Sequence, residues 1–228
     1  MGKIDVLYED NHLLIVNKPA GMLVQGDHTG DTPLVEHGKA YIKEKYQKPG
    51  DVFLGVVHRL DRPVSGAVVL ARTSKALTRM NALFKEKKTE KIYWALVHKN
   101  PPQEAGTLIH WLTKDPKKNK ATAHRREVPD SKRAELSYRL VAQHDKLFLL
   151  KVVPQTGRPH QIRVQLASLG CPIRGDLKYG ASEANADASI SLHARSLSFM
   201  HPVKKKPLRI LAPWPEETGW RGFSGTED

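Results

Sequence analysis

Apolar residues come in short runs along the first third of the chain, separated by turn formers and charge. Residues 5 to 8 and 12 to 17 read as two short strands joined by Glu9-Asp10-Asn11, a turn-rich triplet. Val52-Phe53-Leu54-Gly55-Val56-Val57 and Ala67-Val68-Val69-Leu70-Ala71 are too short for helices and rich in β-branched residues, so each predicts a short buried strand. The clearest helix spans 74 to 87. Ser74 can cap it, Leu77, Met80, Leu83 and Phe84 share one face, and Lys85, Lys87 and Lys88 suit the dipole of its last turn.

Further on, 90 to 97 reads as a strand, and 133 to 141 with 147 to 153 as a hairpin. Ala134, Leu136, Tyr138 and Leu140 alternate with polar residues, which predicts one buried and one wet face. Residues 160 to 169 read as a helix ended by Gly170. Strands near 195 to 200 and 207 to 211 close the pattern. Hairpins outnumber strand-helix-strand units, so the expected class is α+β: a mixed, mainly antiparallel central sheet with flanking helices and loops. With no internal repeat or long linker, residues 1–228 are expected to form a single domain, with about 216–228 a loosely held tail.

The strand pattern isolates one polar stretch, His58-Arg59-Leu60-Asp61-Arg62-Pro63-Val64-Ser65-Gly66, between two apolar runs. Asp61 is presented where a core strand ends, with Arg59 and Arg62 beside it. Cations next to a partly desolvated carboxylate favour its charged form, the requirement for a nucleophile or base beside an anion-binding surface. On these residues alone an ordinary loop with a surface ion pair explains as much.

Charge narrows the partner. Lys and Arg number 37 against 24 Asp and Glu, for a net charge of +13 and a pI near 9.8. Such a surplus favours a polyanion, because each neutralised phosphate releases counterions. An acidic membrane surface competes, but no run of apolar residues is long enough to span a bilayer. The start, Met1-Gly2-Lys3-Ile4-Asp5-Val6, lacks a signal-peptide core and a myristoylation Ser or Thr at position 6. One cysteine, Cys171, excludes an internal disulfide framework and suits a reducing cytoplasm. The densest basic segment, Lys114 through Lys117, Lys118 and Lys120 to Arg125-Arg126, reads as a loop and is expected to contact that polyanion, although most charge runs are solvated surface. Trp111 beside it serves a core or a stacking role.

Other chemistries lack their residues. No Gly-x-x-x-x-Gly-Lys-Ser/Thr or Gly-x-Gly-x-x-Gly loop is present to cradle a nucleotide. The eleven histidines form no His-Glu-x-x-His pair, so no metal is expected. His58, His160 and His193 read as hydrogen-bonding partners that shape loops. His58-Arg59-Leu60-Asp61 is a near miss to a kinase catalytic loop, with the Asp one place late and no Asp-Phe-Gly in the chain.

Five segments in order carry a resemblance. They are Tyr8-Glu9-Asp10 through Asn17-Lys18-Pro19-Ala20-Gly21; His58-Arg59-Leu60-Asp61 with Ser65-Gly66; Glu90-Lys91-Ile92-Tyr93-Trp94-Ala95-Leu96-Val97; Thr156-Gly157-Arg158-Pro159-His160-Gln161-Ile162-Arg163-Val164; and Leu192-His193-Ala194-Arg195-Ser196-Leu197 with His201-Pro202. Together they resemble the RluA-type RNA pseudouridine synthases, over about residues 5 to 212. The resemblance implies that family's catalytic fold and isomerisation of uridine in transfer or ribosomal RNA, by a cytoplasmic enzyme working as a monomer without a cofactor. It implies Asp61 as catalytic carboxylate, Arg163 as its guanidinium partner and Tyr93 as the ring packing on the target base. Arg59 matches a residue that fills the gap left by a flipped uridine. Arg62, Arg158 and His160 are grouped with it as RNA-facing candidates, and Ile162 and Leu166 as pocket walls. Pro63 and Val64 stand where many relatives carry a charged residue and Thr, and Gln165 and Cys171 where histidines are frequent, which bears on substrate choice. No separate amino-terminal RNA-binding module is expected. Two rivals remain: a non-catalytic RNA-binding protein on the same fold, and a hydrolase that releases the base, for which no motif supplies a second carboxylate.

Overall fold

Alternation in the sequence becomes strand pairing in the computed structural model of the protein, which describes residues 4 to 226. In chain order, β1 (Asp5–Glu9), β2 (Leu13–Lys18), α1 (Leu34–Lys45), β3 (Gly55–Val56), β4 (Ser65–Ala71) and α2 (Ser74–Lys85) come first. Then follow β5 (Thr89–Val97), β6 (Ala105–Asp115), β7 (Lys120–His124), β8 (Lys132–His144), β9 (Leu147–Pro154) and α3 (Gln161–Ser168). The last strands are β10 (Leu192–Met200) and β11 (Pro207–Leu211). The class is α+β, a mixed, mainly antiparallel sheet with flanking helices and loops, as the hairpin-rich pattern predicts. The chain divides into two compact units, Met1–Glu90 with Ala194–Pro213, and Lys91–His193 with Trp214–Asp228.

In the first unit the strand order is β1-β2-β4-β10, with β11 beside β10 and β3 beside β4. β2 runs antiparallel to β4, which sets Leu13 opposite Ala71 and Lys18 opposite Gly66. Leu13 to Val16 are fully buried, so this strand is apolar on both faces and reads as a continuous run rather than an alternation. Leu13, Ile15, Val69, Met80, Leu197 and Phe199 join in one core cluster. α2 begins one residue from its expected cap: Thr73, not Ser74, accepts from the Ala76 amide through its hydroxyl, at 3.1 Å. Of the run 52 to 57 only Gly55–Val56 pairs as strand, because Phe53 points outward at 49% exposure. α1 has no counterpart in the expected elements. Its buried residues Leu34, Val35, Gly38 and Ile42 make a narrow stripe, broken by a glycine whose Cβ would meet the Leu54 side chain at 2.6 Å.

The second unit orders its strands β5-β9-β8-β6-β7. The β8–β9 hairpin is present as predicted, with Ala134, Leu136 and Tyr138 buried and a register shift between Leu140 and Ala142. β6 and β7 are a correction to the sequence reading. The basic segment from Lys114 to Arg126 is not a loop but the end of a second hairpin, with Lys114 paired to Ala121 and Trp111 to His124. Its turn is ordered by Asp115, whose carboxylate accepts from the amides of Lys117 and Lys118 at 2.9 and 3.1 Å. Alternate residues of β6 face solvent, and charge at the strand ends hid the period of two.

The tail is a second correction. Residues 218 to 223 form a 3-10 turn, and Trp220 and Phe223, at 3% and 2% exposure, pack with Trp94, Leu96 and Leu149. Two buried aromatic side chains outweigh the polar composition around them. Only 227 and 228 of the expected tail lie outside the described residues.

Candidate active site

Each unit carries part of the candidate set, and each part is built by its own local frame. In the first unit, Asp61 sits half-buried in the connection from β3 to β4. Its carbonyl accepts from the Val64 amide at 3.0 Å, which closes a tight turn over Arg62 and Pro63. His58, before it, accepts from the Val69 amide through Nε2 at 3.1 Å and stacks on Phe84 at 4.9 Å. That histidine shapes the loop, as its sequence context predicts. Gly66, after it, has φ +115°, and a Cβ there would collide with the backbone of Ala194. The Ser-Gly step is therefore a close approach that only glycine allows.

Arg62 and Arg59 are exposed. Arg62 donates through Nε to the Gly21 carbonyl at 2.9 Å and pairs with Asp31 at 2.6 Å, in a half-exposed ion pair of small energetic weight. The residue the sequence reading missed is Lys18, at the end of β2. It is fully buried, and its ammonium donates to the carbonyls of Pro19, Met22 and Arg62 at 2.9, 2.8 and 3.2 Å. Burial pulls its pKa down to about 7, against the opposing pull of the Asp61 charge. The signal was a lysine two places after the unbroken apolar run Leu13 to Val16, on the same predicted strand.

In the second unit, Tyr93 is half-buried on β5, opposite Val152 of β9. The arginine motif is held by three of its own members. Thr156 donates to Gln161 Oε1 at 2.7 Å, the Arg158 amide donates to the same oxygen at 3.0 Å, and Gln161 Nε2 donates to the Glu135 carbonyl at 3.0 Å. His160 then takes a left-handed conformation, φ 54°, and α3 starts at Gln161. Arg163 follows on its first turn, 5% exposed, with Ile162 and Leu166 buried on the same helix. Nε and Nη2 of Arg163 donate to the two carboxylate oxygens of Asp176 at 2.7 and 2.8 Å, and the guanidinium lies 5.1 Å from the Tyr179 ring centre.

Tyr179 ties this network together. Its hydroxyl is 2.8 Å from His160 Nδ1 and accepts from the Ala121 amide at 2.8 Å. His160, at 9% exposure, shapes the loop through this contact, as its sequence context predicts. Arg158 remains exposed, donating through Nε to the Arg133 carbonyl at 3.1 Å. Asp176 and Tyr179 were not singled out from sequence. An acid and an aromatic between two glycines, in Gly175-Asp176-Leu177-Lys178-Tyr179-Gly180, was the available signal.

The fold defines the class of protein. The human structure titled RNA Pseudouridylate Synthase Domain Containing 4 superposes with a TM-score of 0.76 at 25% identity, covering 93% of this chain and 89% of that one. The family follows from the sequence: the profile described as RNA pseudouridylate synthase matches residues 12–168, and the chain belongs to that family. A ribosomal large subunit pseudouridine synthase C of Buchnera aphidicola is 34% identical over 92% of this chain and 67% of its own length. One from Vibrio cholerae is 35% identical over 91% and 65%, and a ribosomal large subunit pseudouridine synthase D of Xylella fastidiosa 36% over 94% and 67%. The chain thus spans about two thirds of the length of these curated relatives.

Proposed function

We propose that this chain, acting as one catalytic domain and a monomer, isomerises uridine in RNA to pseudouridine, with Asp61 as the catalytic carboxylate. The observation that carries the reading is the Asp61 turn, framed by His58 and Gly66 inside the segment that matches the family. The names of the relatives support a uridine of large-subunit ribosomal RNA over one of transfer RNA. Work in the cytoplasm fits that substrate, and among the described residues no helix is long and apolar enough to cross a membrane.

The reaction breaks the bond between the sugar C1′ and N1 of uracil, turns the held base, and joins C1′ to C5. The C5 proton is lost and N1 gains one, so the product has the mass of the substrate and no group has to be activated or carried. The site must offer a carboxylate near sugar and base, a surface for the ring, and protection from water while the bond is open. Asp61 supplies the first. Tyr93 and Arg163 take the roles of base platform and carboxylate partner that the resemblance gives them, and Arg59 fills the place of the extruded uridine.

Tritium release from RNA labelled at C5 of uridine, with mass analysis of the product, tests the reading. Wild-type protein releases tritium and leaves RNA mass unchanged, and Asp61→Asn binds RNA but releases none within detection. Release by Asp61→Asn at a wild-type rate refutes the assignment. Free uracil would make the chain a hydrolase, and RNA binding without release a non-catalytic binder.

A further inference from the structure

The turn between β10 and β11 carries Lys204-Lys205-Lys206 directly after His201-Pro202-Val203. Most charge runs are solvated surface, but this one is held in a fixed frame. Nδ1 of the buried His201 accepts from the Val203 and Lys204 amides at 3.2 and 2.9 Å. The His201 amide donates to the Lys206 carbonyl at 2.8 Å, and its carbonyl accepts from the Lys205 amide at 3.1 Å. Lys205 has φ 55°, the left-handed region that glycine occupies without strain. A lysine there bears a conformational cost that glycine would not, and what it adds is charge.

α2 extends the same surface. Arg79 donates through Nη1 to the Pro202 carbonyl at 3.1 Å, which sets the helix against the turn. Lys75 stands one helical turn earlier on the same ridge, exposed. It places a cation at the positive end of the helix dipole, in a first turn that holds no acid. Two lysines thus occupy positions that local physics disfavours, and both raise the charge of one surface. Asp10, the acid beside them, is already 2.8 Å from the Lys204 ammonium and 3.0 Å from His201 Nε2, and accepts from the Tyr8 hydroxyl. Lys75, Lys205 and Lys206 are exposed and have no acidic partner among the described residues.

Gly66 and Ala194 meet beside the Asp61 turn, and β10 runs six residues from Ala194 to Met200. At about 3.3 Å per residue, the lysine turn lies roughly 20 Å from the Asp61 turn, towards the other end of the strands. The β2–β4 register agrees: Lys18 is opposite Gly66, Leu13 is opposite Ala71, and Asp10, just before Leu13, pairs with Lys204. A single nucleotide seated at Asp61 does not reach that far. A duplex strand, with a phosphate about every 3.4 Å, reaches it in about six nucleotides.

We propose that Lys75, Arg79, Lys204, Lys205 and Lys206 form a distal phosphate-backbone site, which takes the duplex flank of an RNA whose target uridine lies at Asp61. This rests on the reading of the chain as an RNA-modifying enzyme and deepens it: the substrate is a structured RNA extending about 20 Å or more from the uridine. Contacts to phosphate position the RNA and read no sequence.

Binding and turnover on two stem-loops test this. Both carry the same uridine-bearing loop of large-subunit ribosomal RNA, one on a stem of about 10 Å and one on a stem of about 40 Å. The variant joins Lys75→Gln, Lys205→Gly and Lys206→Gln, leaving Lys204 with Asp10 and Arg79 with Pro202. Three lost contacts at about 0.7 each make the log–log salt slope on the long RNA shallower by about 2, and weaken binding roughly 10- to 100-fold near 0.1 M salt. On the short RNA the slope is unchanged. At saturating long RNA kcat changes less than about twofold, and KM carries the loss. The melting temperature does not fall, because glycine suits the Lys205 backbone and α2 loses a cation at its N-terminus. Equal slopes for the two proteins on the long RNA overturn the inference, as does an equal change on both RNAs. Weakened binding to vesicles of anionic phospholipid with the RNA slope unchanged overturns it in favour of a membrane surface. If the triple variant melts lower than wild type, Lys205→Gly alone decides, with a slope shallower by about 0.7 on the long RNA. Absence of tritium release from either RNA refutes the proposed reaction, while the salt slopes still decide the distal site.

Discussion

Arg163 and Asp176 face each other as a two-pronged ion pair, at 2.7 and 2.8 Å, with 6% and 1% of their side chains exposed. The planar fork of the guanidinium matches both carboxylate oxygens, a geometry lysine lacks. It fixes the direction of an arginine on the first turn of α3, a helix only eight residues long. Breaking a buried pair from one side strands the other charge, at a cost of about 3–5 kcal/mol. Asp176→Ala and Arg163→Ala should each lower stability by that order in denaturant titrations. Arg163→Lys should keep the charge, lose the fork, and reduce turnover more than stability. Equal stability of wild type and Asp176→Ala would remove the pair from the frame of the motif.

Gly66 makes a sharper demand on the backbone. Its φ of +115° disfavours any L side chain, and the Ala194 backbone fills the space a Cβ would need. Neither obstacle is the end of a flexible side chain, so relaxation has to move a strand. Gly66→Ala should destabilise by about 3 kcal/mol or more, and turnover should fall with the folded fraction in thermal melts. A well-folded, active Gly66→Ala protein would show that the close approach is dispensable.

Where the hydrophobic period was undisturbed, the elements could be read directly. The β8–β9 hairpin has Ala134, Leu136 and Tyr138 inward and Arg139 outward, and its pattern follows from that alone. The segment from Lys114 to Arg126, the end of β6 with β7, reads as a basic loop because Lys114, Lys117, Lys118 and Lys120 carry a turn and two strand ends, where charge masks alternation. α1 was missed because Gly38 and six charged or polar residues leave too little apolar periodicity. Asp61, His58 and Gly66 were legible from a motif, whereas the distant contacts that hold their turn were not. Lys18 at the end of β2 and Gly66 at the start of β4 lie 48 positions apart and become neighbours only through strand register. Asp176, 13 positions after Arg163, is brought to it by a return of the chain that no local pattern encodes.

Acid should unfold the first unit partly through Asp10. Burial opposes its charge, but Lys204 at 2.8 Å, the amides of His12 and Leu13 and the Tyr8 hydroxyl outweigh it, so its pKa lies well below the usual carboxylate range. A carboxylate with a depressed folded pKa contributes stability that is fully present above its unfolded value, about 3.9, and lost as pH falls through the folded value. The contribution at neutral pH is on the order of 2 kcal/mol. Asp10→Asn should therefore be less stable than wild type at pH 7, and the gap should narrow below about pH 4. Parallel melting curves at pH 7 and pH 3 check this, and a gap that stays constant across the range would exclude Asp10 from the acid response.

The hairpin of β6 and β7 makes the last prediction. Lys117, Lys118, Arg125 and Arg126 are all exposed, and an ordered turn holds the lysines in place, so their charges are presented by a frame rather than by a wandering loop. If they meet phosphates, affinity for substrate RNA falls as salt rises, with a log–log slope of about −0.7 for each single-strand contact. Replacing all four with Ser should make the slope shallower by up to about 2.8 and weaken binding at low salt, with little change in stability because the side chains are solvated. Binding isotherms at several salt concentrations on one stem-loop measure the slope directly. If the slope is unaffected, the RNA surface lies on other cations, and the charge of this hairpin serves solubility instead.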